Sequence, residues 1–258
     1  MSLSPNTETA ITKNIPQLRF PEFDGEWEIK KLSDFLVSLK SGVSVNSENI
    51  PAKTNQTGVL KTSCVSKGSF KPEENKLIVK NDISRAKISI KKNSILISRM
   101  NTPNLVGEIG YVPFNYPNLF LPDRLWMTET NGEVIVKWLS FQLITPKQRS
   151  IISSIGTGTS GSMKNISKPN FLSLKFYCPP IKEQQKIANF LTQVDRKIEL
   201  LDKQQAALEQ YKKGVMQKIF NQEIRFKIEN EAEELVEPSD WEEKKLGELI
   251  REKNEKTK

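Results

Sequence analysis

Pro179-Pro180-Ile181-Lys182-Glu183-Gln184-Gln185-Lys186-Ile187-Ala188 opens a stretch unlike anything before it. From Ile181 to Phe220 there is no proline and a single glycine. Ile187, Val194, Leu201, Leu208 and Val215 recur every seven residues, and Leu191, Ile198 and Ile219 fill companion positions that Gln205 and Lys212 interrupt. This is a coiled-coil heptad, with Pro180 at a favourable helix start. At 1.5 Å per residue the helix is a rod of roughly 58 Å. One apolar seam on so long a rod is not satisfied alone in water, so a partner helix is expected from this chain, another copy or another protein. The alternative, a helix lying flat on its own domain, fits a sustained seven-residue period poorly.

Upstream the texture is that of a globular α+β domain. Trp27 to Leu39 reads as a short amphipathic helix with Leu32, Phe35, Leu36 and Leu39 on one face. Residues 40–57 read as loop. Short β-branched runs then predict strands at Val59-Leu60, Leu77 to Val79, Ile88 to Ile90, Ile95 to Ile97 and Val106 to Val112. Glu133 to Thr145 predicts a helix ended by Pro146, and 147–154 a second one. Gly156 to Gly161 is a Gly/Thr/Ser loop, and Leu172 to Tyr177 a strand. The boundaries expected are a mobile terminus over 1–17, a domain over 18–179, the helix over 180–220, and a fourth segment over 221–258.

That last segment repeats the first. Trp27-Glu28-Ile29-Lys30-Lys31-Leu32 is echoed by Trp241-Glu242-Glu243-Lys244-Lys245-Leu246, and Leu18-Arg19-Phe20 by Ile224-Arg225-Phe226. Two charged amphipathic stretches can match by chance, but two matches in the same order suggest the opening of a second module.

The net charge of +8 is uneven. Residues 27–178 carry 21 basic and 10 acidic side chains, whereas 179–258 carry 16 and 17. A surplus confined to one globular segment points to a polyanion, most often nucleic acid. Its densest part, residues 61–100, holds 10 basic and 3 acidic residues. Candidate DNA contacts there are Lys61, Ser63, Ser66, Lys67, Arg99, Asn101 and Thr102, since Lys and Arg neutralise phosphates while Arg, Asn and Ser read base edges. The Gly156–Gly161 loop adds Thr157, Thr159 and Ser160, with Lys164 and Asn165 beside it. It lacks the Lys-Ser/Thr that a nucleotide-hydrolysing loop needs after its last glycine.

Chemistry is conspicuous by what is missing. The chain has no histidine, which removes imidazole triads and the usual imidazole metal sites. Glu28-Ile29-Lys30 has the Glu-x-Lys of a metal nuclease, but Asp24 lies too near in sequence to supply a second strand's carboxylate. No glycine-rich turn for S-adenosylmethionine and no Asn-Pro-Pro-Tyr is present. Cys64 and Cys178 are isolated and read as buried free thiols, and no run of 18 apolar residues predicts a membrane span.

Trp27-x-x-x-Lys31-Leu32, Ile95-Leu96-Ile97-Ser98-Arg99, Gly158 to Ile166 and above all Pro179-Pro180-Ile181-Lys182-Glu183-Gln184 together resemble the specificity subunit of type I restriction–modification enzymes. The resemblance covers about residues 18–250. It implies a mixed α/β target-recognition domain with a small curved β-sheet, followed by a long spacer helix. It also implies a non-catalytic cytoplasmic protein that binds double-stranded DNA and docks modification and restriction subunits. S-adenosylmethionine, ATP and magnesium would belong to those partners, and this chain would bind no cofactor. A complete subunit has two recognition domains and two antiparallel helices, whereas this chain has one of each. The expectation is therefore a homodimer through the 181–220 helix, each copy reading one half-site. A stand-alone DNA-binding module and a coiled-coil interaction scaffold remain the alternatives.

Overall fold

The computed structural model describes residues 14–158, 163–229 and 234–250, so most of the expected mobile terminus lies outside the described residues. The strands in chain order are β1 (Glu28–Lys31), β2 (Leu36–Ser41), β3 (Ser47–Glu48), β4 (Gly58–Leu60), β5 (Val65–Ser66), β6 (Ser69–Phe70), β7 (Asn75–Ile78), β8 (Ser89–Ile90), β9 (Ser94–Ser98), β10 (Met100–Asn101), β11 (Ile109–Val112), β12 (Tyr116–Phe120), β13 (Leu125–Thr130), β14 (Lys164–Asn165), β15 (Lys175–Cys178), β16 (Ile228–Glu229) and β17 (Leu235–Val236). The helices are α1 (Val136–Ile144), α2 (Pro146–Ser154), α3 (Lys168–Leu172), α4 (Ile181–Phe220) and α5 (Leu246–Leu249). The chain divides into two compact units, one through Gln193 and one from Val194.

The first unit is α+β. A four-stranded sheet runs β11-β9-β13-β2 and a five-stranded one β3-β7-β4-β12-β8. Strands β9 and β13 are buried on both faces. Ile95, Ile97 and Trp126 join a core with α1, α2, α3 and the first turns of α4. Leu96, Leu125 and Met127 face a second core with Leu60, Cys64, Ile90 and Leu121.

The expected helix over Trp27–Leu39 is not formed. The segment is β1, a 3-10 turn at Leu32–Asp34, and β2. Leu32, Phe35, Leu36 and Leu39 are buried as a helix stripe would be, because the turn between two strands reproduces its three- and four-residue spacing. What selects strand is distant: β1 pairs antiparallel with β15, Glu28 opposite Cys178, and β2 with β13. Asp34 then closes the turn by accepting the Lys31 backbone N–H at 2.8 Å. The loop expected over 40–57 is correspondingly shortened by β2 and β3. Two strands, β12 and β13, carry no alternation in the sequence. β13 is buried on both faces through Thr128, and β12 contains Pro117, tolerated where its register with β8 shifts. The strand expected from Leu172 begins only at Lys175, because Ser167 caps α3 by accepting the Asn170 N–H, with Pro169 in its first turn. Pro146 is the first residue of α2 as well as the end of α1.

The Pro-Pro-x-x-Glu-Gln stretch has a structural explanation. Glu183 is 1% exposed, and its carboxylate accepts two hydrogen bonds from Arg19, at 2.8 and 2.7 Å, and one from the Trp27 indole at 3.3 Å. Phe20 packs edge-on against Phe190, and Lys186 pairs with Glu22. The N-terminal segment is thereby strapped to the first turns of α4. Gln184, also buried, accepts the Ile135 N–H at 3.0 Å, which tethers the start of α1, and donates to the Pro179 carbonyl at 2.9 Å.

In the second unit, α4 continues to Phe220 with Val194, Ile198, Leu201 and Leu208 between 40% and 58% exposed. The sequence repeat is matched in structure at one point only, since Glu28–Lys31 is a strand and 242–245 is not. A helical turn begins at the equivalent leucine in both copies, Leu32 and Leu246. Their environments differ: Leu32, Phe35 and Leu36 are buried, whereas Leu246, Leu249 and Ile250 are exposed. Arg225 pairs with Asp240 at 3.2 Å, and Trp241 packs edge-on against Phe220.

Two outcomes follow for the first unit. Gln184→Leu keeps the volume but strands the Ile135 N–H, and urea unfolding is expected to show a loss of about 1–3 kcal/mol. Gln185→Leu, on the exposed side of the same turn, changes stability by less than about 0.5 kcal/mol. Burial holds the Cys64 thiol protonated far above its ordinary range and pushes Cys178 up to about 11. Both thiols are therefore neutral at about pH 8, where the native protein resists iodoacetamide while the urea-unfolded chain takes up two equivalents.

Candidate nucleic-acid interface

Lys61 follows β4, and Thr62 to Cys64 form a 3-10 turn into β5. This turn exposes the polar side chains between two buried anchors, Leu60 and Cys64. The Ser63 hydroxyl donates to Glu74 at 2.7 Å, and the Lys61 ammonium lies 3.5 Å from the same carboxylate. The two together hold the Glu74 carboxyl below the usual carboxylate range. Lys67 follows at the β5–β6 turn with φ +49°, its backbone N–H bonded to Glu108 at 2.6 Å. That left-handed conformation aims an exposed lysine side chain outward.

The structure brings several of the sequence-derived candidates together. Ser63, Ser66 and Asn101 line a hollow of about 330 Å³ with Thr62, Lys71 and Glu74. Lys61 and Ser63 line an adjoining one of about 370 Å³ with Lys76, Asp123 and Arg124. Asn101 sits opposite Lys164 in the β10–β14 pair, and Thr157 exchanges two backbone hydrogen bonds with Asn165, at 2.9 and 2.8 Å. The base of the Gly/Thr/Ser loop is thus stitched beside β10. A Cβ on Gly158 would lie 2.3 Å from the Met163 carbonyl, so only glycine allows this closure. Thr159 and Ser160 lie outside the described residues. Lys164 borders a separate hollow of about 540 Å³ beside Arg149 and Asn104.

Two candidates are turned to structural contacts. The Arg99 guanidinium donates to the Asp123 carbonyl at 2.7 Å and to the Asn165 side chain at 3.3 Å. The Thr102 N–H bonds the Asn101 side chain, and its carbonyl accepts from Leu105 and Val106, which shapes the loop before β11. Four residues that share these hollows, Thr62, Lys71, Lys76 and Arg124, were not picked out by the sequence. Lys71 and Lys76 lay within the basic run, but nothing local separates a lysine on this face from one elsewhere. Arg124 precedes a strand with no alternating signature.

Among the described residues no group of three or more His, Cys, Asp or Glu is placed to hold a metal, and no helix is long and apolar enough to cross a membrane.

Residues 24–210 match the family model described as the type I restriction modification DNA specificity domain. The chain is 28% identical over 245 residues to the type I restriction enzyme MjaVIII specificity subunit of Methanocaldococcus jannaschii, covering 92% of this chain and 52% of that one. It is 24% identical over 183 residues to the EcoKI specificity subunit of Escherichia coli, covering 68% and 38%. It spans about half the length of the curated relatives it matches along most of its own length. A solved structure described as "Structural basis underlying complex assembly and conformational transition of the type I R-M system" shares the fold, with a TM-score of 0.52 at 16% identity over 78% of this chain and 47% of that one. With more than half its residues matched by one model, the chain belongs to the type I restriction–modification DNA specificity domain family.

Proposed function

We propose that this chain is a DNA sequence-recognition subunit of a type I restriction–modification complex. The observation that carries the reading is the match over residues 24–210, which contains the segment holding the basic surplus. Residues 18–179 act as the target-recognition domain and read one half-site of a bipartite target. The interface comprises Lys61, Ser63, Ser66, Lys67, Asn101, Thr157, Thr159, Ser160, Lys164 and Asn165, braced by Arg99 and Thr102. The subunit is non-catalytic and docks modification and restriction subunits in the cytoplasm. S-adenosylmethionine, ATP and magnesium belong to those partners.

The helix over 180–220 supplies the spacer. Support for a second copy as its partner is the apolar seam at Val194, Ile198, Leu201 and Leu208, half-exposed along the helix. Antiparallel pairing of two identical helices carries two identical recognition domains to opposite ends, and the target is then an interrupted palindrome.

Affinity for duplex DNA is expected to fall about a hundredfold or more between about 50 and about 200 mM salt. A scaffold with an incidental basic face would bind weakly and with a shallow slope. Light scattering at micromolar protein is expected to give twice the 29.4 kDa chain mass. Placing charges in the seam with Ile198→Glu and Leu201→Glu is expected to return the monomer mass. A wild-type monomer, both alone and with modification subunit, would rule out the pairing.

A further inference from the structure

Resting on the DNA-recognition reading, we infer that Arg124 is the base-reading arginine of this domain, a guanine reader, and that Arg99 is its positioning residue. Four hydrogen bonds hold the short turn Pro122-Asp123-Arg124. The Gly42 N–H donates to the Pro122 carbonyl at 3.2 Å, and the Ser41 hydroxyl to the Asp123 carbonyl at 3.2 Å. The Arg99 guanidinium donates to that same Asp123 carbonyl at 2.7 Å, and the Arg99 N–H to the Arg124 carbonyl at 3.1 Å. The turn also presses on its neighbour. A Cβ on Gly42 would lie 1.6 Å from the Leu121 carbonyl oxygen, so the 41–42 and 121–122 backbones meet at a distance only glycine permits.

From this fixed backbone the Arg124 side chain emerges exposed. Among the described residues its guanidinium has no hydrogen-bond or ion-pair partner. It borders the hollow lined by Lys61, Thr62 and Lys76, in the densest part of the basic segment. Arg99 is the opposite case, since its guanidinium spans Asp123 and Asn165 and so links the turn to β14. A phosphate contact tolerates a mobile cation. Bidentate donation to guanine O6 and N7 requires a guanidinium whose backbone is fixed. The first belongs to the lysines of this face, the second to Arg124.

The test uses the full chain in complex with modification subunit, and selects bound sequences from a randomised duplex library. Wild type is expected to enrich a motif with at least one guanine preferred by about tenfold or more. In Arg124→Ala and Arg124→Lys that one position loses its preference, to within about twofold, while the rest of the motif persists. Arg99→Lys weakens preference at the same position, and adding it to Arg124→Ala changes nothing further there, as two residues acting on one contact must. A motif unchanged by Arg124→Ala, with binding either intact or uniformly weaker, overturns the assignment. So does Arg99→Lys lowering the unfolding midpoint and all affinities alike without touching that position. Absence of any motif in the wild type would instead refute the DNA-recognition reading. Both Arg124 variants alter an exposed side chain, and an unchanged unfolding midpoint verifies that they fold.

Discussion

A carboxylate withdrawn from water at the first turn of α4 is the constraint on which the first unit depends. Glu183 is buried, and a buried charge is tolerable only with a full set of partners. Arg19 supplies a bidentate guanidinium and Trp27 an indole N–H, so the N-terminal segment cannot lie elsewhere without stranding that charge. The neighbouring Gln184 does the same for a neutral group, accepting an N–H at the start of α1 that the helix itself leaves unpaired. Two adjacent side chains thus tie the segment before β1, the entry to α1 and the long helix into one arrangement. Strand β1 follows from that placement, because Trp27 anchored at Glu183 brings Glu28–Lys31 alongside β15.

The same logic distinguishes the two copies of the repeat. The first copy has a carboxylate for its arginine and tryptophan, and a strand edge beside it. The second copy has Asp240 for Arg225 and the Phe220 ring for Trp241, and its leucines are exposed where those of the first are buried. Similar local sequence therefore starts a helical turn at the equivalent leucine twice but gives a hydrophobic core only once, since burial is supplied by what the turn packs against.

On the proposed interface, rigidity and charge are distributed among different residues. The doubly buried strands β9 and β13 form the floor, and the turns at their ends carry the polar side chains. Arg99 stands at the end of β9 and is consumed in bracing the turn that leads into β13. Arg124, one residue before β13, is left free. A basic segment alone would attract DNA without choosing a sequence. A cation on a braced turn is what converts attraction into readout.

The β-branched runs, the heptad seam, the uneven charge, the repeat and the family-like stretches at Trp27, Ile95–Arg99, Gly158–Ile166 and Pro179–Gln184 were all legible in the sequence, and they sufficed for the fold class, the long helix to its ends, and the family resemblance. Periodicity and composition are local quantities, and these features are local. The 27–39 segment, β12, β13 and the role of Arg99 were not legible. A 3-10 turn between strands mimics the spacing of a helix stripe, a strand buried on both faces has no alternation, and an arginine's partners here lie 24 and 66 residues away in the chain. Which cation is bound and which is free depends on those distant backbone carbonyls and side chains, so tertiary structure alone decides it.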